Sequence, residues 1–173
     1  MMTAADRRIG GSADGDADPG TTAQPPNRPP TLPPTGRLLA VDWGEKRIGL
    51  AVTDPTRTIA QPLATLRRRA GRRFPLQQLR HHLDALQPVG IVVGLPLDED
   101  GAEGPSARAA RAVAELLAEK TGLPVVLMDE RMTTARAREA EPRGAARGAT
   151  GGVDLDQRAA TVLLQLYLER QRA

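Results

Sequence analysis

At 173 residues and 18.4 kDa the chain is long enough for one domain with its own core and too short for two ordinary domains and a linker. It has no cysteine, which excludes a disulfide framework, a zinc ribbon and a thiol nucleophile together, and its two histidines, His81 and His82, are adjacent, so a bound metal must be held mainly by oxygen, favouring Mg²⁺ or Mn²⁺ over Zn²⁺. The net charge is +3, a mild basic balance carried almost wholly by arginine, which by itself assigns no partner.

Residues 1–36 hold seven of the fifteen prolines and only Met1, Met2, Ile9 and Leu32 as large apolar side chains. That is too little to offset the entropy of ordering, so a disordered Pro/Gly-rich tail is expected, with a domain from 37 to 173. No apolar run approaches the ~20 residues that span a bilayer, and the N-terminus lacks a signal-peptide core, so a cytoplasmic protein with no membrane partner is expected.

The run 38–43 (LLAVDW), the turn Gly44–Arg47 and the run 48–54 (IGLAVTD) predict a β-hairpin. A third strand near 58–64 contains Pro62, which cannot donate to a ladder and so belongs at a sheet edge. Leu76, Leu79, Leu83 and Leu86 have helical spacing behind Pro75. A buried strand follows at 90–94, then a loop, then a helix over 105–121 with Ala109, Ala112, Val113, Leu116 and Leu117 as its apolar set and Gly122 as its C-terminal cap. The strand 125–128 leads to Asp129 and Glu130, a helix is expected over 133–140, and 142–152 should be mobile. A last helix spans about 155–170, with Ala160, Leu163, Leu164 and Tyr167 on one face. The order β-β-β-α-β-α-β-α-α predicts an α/β fold: a mixed sheet of three antiparallel then parallel strands flanked by helices.

Three acids stand out by position. Asp42 lies at the end of the first strand, one of Asp129 and Glu130 at the end of the last, and Asp156 near the start of the final helix, and strand ends are where ligands collect in α/β sheets. Asp156 aligns at i+4, i+7 and i+11 with Ala160, Leu163 and Tyr167, so it shares the inward face, whereas Asp154 aligns with Arg158, Thr161 and Gln165 and reads as a helix cap. An inward acid needs a countercharge, such as a cation shared with other carboxylates; the same position also complements the helix dipole, and spacing does not decide between the two. Alternation does not separate Asp129 from Glu130, because a strand covered on both faces has no outward side.

The segments LLAVDWGEKRIGLAVTD (38–54), IVVGLPLDEDGAEGPSARA (91–109), PVVLMDERMTTARA (124–137) and VDLDQRAATVLLQLYLE (153–169) resemble, in order and spacing, the four motif blocks of the YqgF family of pre-16S ribosomal RNA nucleases. The likeness covers about residues 37–170 and implies an RNase H-like fold of the RuvC type, akin to Holliday junction resolvases. It places the family's acids on Asp42, Glu130 and Asp156 as catalytic, metal-binding residues, with two Mg²⁺ or Mn²⁺ ions. It also implies a nucleic-acid partner, precursor ribosomal RNA first and branched DNA as the alternative. Ala102 stands where the family's GTEG segment has threonine.

Lys46 and Arg47, directly after Asp42, and Arg131, after Glu130, are placed to meet a nucleic-acid backbone. The run Arg67–Arg69 with Arg72 and Arg73 is the densest positive patch, and a charge run is more often a solvated face. With only Trp43, Phe74 and Tyr167 as aromatics, extensive base stacking is not expected, and Trp43 and Tyr167 read as core. Two rivals share these features. An actin-like ATPase uses a similar acid-x-Gly hairpin but duplicates its domain, and a silent nucleic-acid-binding module would keep the basic residues without cleavage.

Overall fold

The computed structural model describes residues 31–68, 73–131 and 154–172. The expected helix at 133–140, the stretch 142–152, Arg69, Arg72 and residues 1–30 lie outside them. The elements are β1 (Leu38–Trp43), β2 (Arg47–Thr53), β3 (Ala60–Arg67), α1 (Leu76–Leu86), β4 (Gly90–Leu95), α2 (Pro105–Thr121), β5 (Val125–Asp129) and α3 (Leu155–Arg172).

The five strands form one sheet in the order β3-β2-β1-β4-β5, antiparallel across β3-β2-β1 and parallel across β1-β4-β5. This is the sheet expected from the sequence. Pro62 sits in edge strand β3, beside a bulge where Ala51 pairs with Pro62 and Leu50 with Ala64. The strand runs later than the apolar pattern suggested, from Ala60 to Arg67, and leaves Ile59 half exposed.

Alternation along β1 divides the molecule into two cores. Leu39 and Val41 face one way, with Ile48, Leu50, Leu66, Phe74, Leu79, Ile91, Val93 and the buried side of α2. Leu38 and Ala40 face the other way, with Ala51, Val92, Met128 and the α3 residues Ala160, Leu163, Leu164, Leu166 and Leu168. Helices α1 and α2 therefore cover one face and α3 the other. Pro105 opens α2 and Gly122 closes it in the left-handed region at φ 69°, its N–H bonded to the Ala118 carbonyl. The buried side of α2 is Ala107, Ala110, Val113, Ala114 and Leu117, with Ala112 exposed, so the helix is rotated from the expected face. Its alanine-rich sequence offers two apolar stripes of nearly equal strength. Gln165 of α3 also differs from the outward residue expected, because its Oε1 accepts the N–H of Ala60 and terminates the β3 edge.

Packing begins before Arg37. Leu32 rests against the α3-side core and lies over Gly90, where a Cβ would collide with it. Arg57, itself at φ 56°, donates to the carbonyls of Gly36 and Thr35, and Gly36 N–H bonds the Pro55 carbonyl. The segment 31–36 is thereby tied to the β2–β3 turn. Among the described residues no helix is long and apolar enough to cross a membrane.

Candidate active site

The α3 face of the sheet carries all three acids at one end. Asp42 follows Leu38 and Ala40 in alternation, so its side chain projects to that face. Its neighbours in the ladder are both glycines: Gly49 of β2 is its antiparallel partner, and on β4 the step after the Val41–Val93 pair brings Gly94 beside it. Each glycine makes room for another carboxylate. A Cβ on Gly49 would run into the backbone carbonyl of Asp156, and one on Gly94 into Oε1 of Glu130. The first turn of α3 is thus laid directly on β2 beside Asp42, while the Glu130 side chain occupies the space above β4.

Register also separates the acids at the end of β5. Val126 and Met128 pack on the α3 side, so Glu130 continues that face and Asp129 belongs to the other with Val125 and Leu127. Glu130 N–H extends the β4–β5 ladder by donating to the Leu95 carbonyl at 3.1 Å. Asp129 receives Arg131 instead: Nε at 3.2 and 3.0 Å from its two oxygens, Nη2 at 2.7 Å and the backbone N–H at 2.9 Å. These bonds hold the Asp129 carboxyl below its usual range.

Electrostatics mark the other acids as a crowded set. Burial, reinforced by Asp156, raises Asp42 to a pKa of about 6. Burial, reinforced by Asp42 and then Asp129, raises Glu130 to about 7. In both, burial and the neighbouring acids disfavour the charged form. Asp42 is the member coupled to each of the other two. Asp156 has Arg47 Nε at 2.7 Å from Oδ2, an ion-pair distance. The N–H is not aimed for a hydrogen bond, however, and Oδ2 is buried without a hydrogen-bond partner.

The donor set is all hard oxygen, which matches Mg²⁺ or Mn²⁺, and burial with mutual repulsion disfavours the charged forms of Asp42 and Glu130. Among the described residues no three His, Cys, Asp or Glu side chains converge on a point that one ion could occupy.

Of the basic residues expected at this site, Arg47 reaches it, exposed Lys46 stands in the adjoining turn, and Arg131 is engaged by Asp129. Arg131 also lies against Gly101, at φ 87° in the 98–104 loop, and so braces that loop next to Glu130. Three features escaped the sequence. Gly49 and Gly94 create the space for the acids, and Trp43 carries a stack on the opposite face, with Phe74 at 6.0 Å between ring centroids and the Arg68 guanidinium 4.3 Å from its ring. Strand glycines next to an acid-bearing strand were the available signal for the first two.

A family model described as "RuvX: Holliday junction resolvase" matches residues 36–170. A protein of Anaeromyxobacter sp. (strain Fw109-5) bearing the name "Putative pre-16S rRNA nuclease" is 45% identical over 139 residues, covering 79% of this chain and 99% of that one. One of Thermobifida fusca (strain YX) with the same name is 44% identical over 146 residues, covering 80% and 90%. The crystal structure of the yeast mitochondrial Holliday junction resolvase matches with a TM-score of 0.50 at 13% identity, over 82% of this chain and 81% of that one, a likeness of fold.

Proposed function

The chain belongs to the RuvX family, and from that premise we propose that it is a metal-dependent nuclease of the cytoplasm that hydrolyses phosphodiester bonds, with the precursor of 16S ribosomal RNA as its substrate. The observation that carries this reading is the gathering of Asp42, Glu130 and Asp156 on one face of the sheet, two of them with raised pKa values. The names of the curated relatives support the RNA substrate. The family description supports four-way DNA as the second substrate to be tested.

Asp42, Glu130 and Asp156 would hold two Mg²⁺ or Mn²⁺ ions, and Asp42 repels both of the other carboxylates when no cation is bound. Such ions activate a water and stabilise the leaving oxygen of the phosphodiester. The chain's own contribution is positional. β1 and β5 fix the Asp42 and Glu130 backbones in the sheet, and Gly49 lets α3 deliver Asp156 within reach. Arg47 supplies a countercharge to Asp156 and, with Lys46, a positive edge for the substrate backbone.

The test is incubation with precursor 16S RNA and with a synthetic four-way DNA junction, each with Mg²⁺, Mn²⁺ or EDTA. Cleavage by wild type, lost in EDTA and lost in Asp42→Asn with binding retained, is the expected outcome. A fully active Asp42→Asn protein would refute the assignment of the site.

A further inference from the structure

The arginines at the end of β3, Arg67 and Arg68, split between the two faces of the sheet. Leu66 packs with Phe74 in the α1/α2-side core, so Arg67 points to the α3 side and Arg68 turns back to lie on Trp43. Arg67 is the cross-strand partner of Arg47, the residue that reaches Asp156, so both arginines emerge on the acid-bearing face at one end of the sheet. Cross-strand partners share a face and stand about 5 Å apart at Cβ, and like charges so placed repel.

Arg47 is compensated by Asp156, whereas Arg67 is exposed and enters no ion pair among the described residues. Two arginines at directly opposed positions on one face can offer a seat for an anion that accepts from both. We propose that Arg67 and Arg47 form a phosphate-binding pair that holds the phosphodiester backbone beside the carboxylates, and that Arg68 has no part in it. This rests on the nuclease reading of the same face. The competing account of Arg67 is that a charge on edge strand β3 merely discourages strand pairing with other molecules.

The experiment measures fluorescence anisotropy of the full chain with a labelled single-stranded RNA and, separately, a labelled four-way DNA junction, in EDTA from 0.05 to 0.4 M salt. Loss of one phosphate contact lowers the slope of log K against log salt by about 0.7 for single strands and 0.9 for duplex, equivalent to about five- to eightfold weaker binding at 0.1 M salt. Arg67→Ala should show that loss, Arg67→Lys should retain most of the slope, and Arg68→Ala should leave the slope at the wild-type value. A loss confined to the RNA or to the DNA identifies which backbone the pair holds. Thermal melts of Arg67→Ala should be no lower than wild type, since an exposed like-charge neighbour is removed.

Wild-type affinity and slope in Arg67→Ala overturn the proposal, and cleavage by the same preparation would leave the nuclease reading standing. An equal loss in Arg68→Ala also overturns it, because the run would then act as diffuse charge irrespective of face. A wild-type protein that neither binds nor cleaves either nucleic acid removes both readings.

Discussion

Gly49 and Gly94 flank Asp42 on neighbouring strands, and adding one methyl group at each should have different consequences for stability. At Gly94 the added Cβ meets the end of the Glu130 side chain, which can swing away off its rotamer at about 0.5–1.5 kcal/mol. Replacing a strand glycine by alanine returns about 0.5–1 kcal/mol of backbone entropy, so the stability of Gly94→Ala should stay within about 1 kcal/mol of wild type. The Glu130 carboxylate is nevertheless displaced from its place above β4, and a misplacement of about 1 Å in a catalytic constellation costs on the order of 100-fold in rate. At Gly49 the Cβ meets the Asp156 backbone, so the first turn of α3 must lift. Overpacking of this kind costs about 1–3 kcal/mol and also moves Asp156 from Asp42. Urea melts with single-turnover cleavage assays separate the two. We expect Gly94→Ala to be stable and about 100-fold slower, and Gly49→Ala to be destabilised and slower as well. A Gly94→Ala enzyme with wild-type turnover would refute the placement of Glu130 in the site.

The raised pKa values give a direct stability test. Asp42 and Glu130 bind protons more tightly folded than unfolded, so stability should be greatest near pH 4, fall as the pH rises towards about 7, and level off above it. Asp42→Asn, lacking one of these charges, should be about 1–3 kcal/mol more stable than wild type at pH 8 in EDTA and lose that advantage by pH 4; identical chemical melts at both pH values would contradict the shift. On the other face, Trp43→Ala should cost about 2–3 kcal/mol by removing the Phe74 stack and the Arg68 contact, read from urea midpoints. Leu163→Ala, beneath α3, should cost about 2–5 kcal/mol, and a loss below 1 kcal/mol would mean that α3 does not seal this core.

Element order and strand direction were legible because their signals are local. LLAVDW and IGLAVT around a Gly-containing turn specify a hairpin, Pro62 marks an edge, and two strand-helix-strand units impose parallel pairing. The errors fell where local signals tie. The alanine-rich α2 presents two apolar stripes, and which one is buried depends on contacts with the β4–β5 side of the sheet. The apolar Ile59 drew the expected start of β3 too early, because the Asp54 carboxylate, accepting the N–H groups of Thr56, Thr58 and Ile59, extends the turn to that point.

The site was legible in its acids and hidden in its spacing. Asp156 shares the helical period of Ala160 and Leu163, and Asp42 stands at a strand end, so each was visible within its own element. What brings them together is register, a property of two elements at once. Asp129 and Glu130 are equivalent in the sequence, yet the pairing of Gly94 with Met128 assigns Glu130 to the face of Asp42 and leaves Asp129 to Arg131. The β2–β3 register likewise places Arg67 opposite Arg47 and separates it from Arg68, which no count of arginines could do. The acids at the site oppose stability, since burial and repulsion raise the free energy of the charged forms of Asp42 and Glu130. The fold withstands this because the α3 core below the acids, from Leu38 and Ala40 through Leu163 and Leu164, is closely buried and independent of them. A loss of charge at the site should therefore tighten the fold while abolishing its chemistry, the opposite of what truncating that core would do.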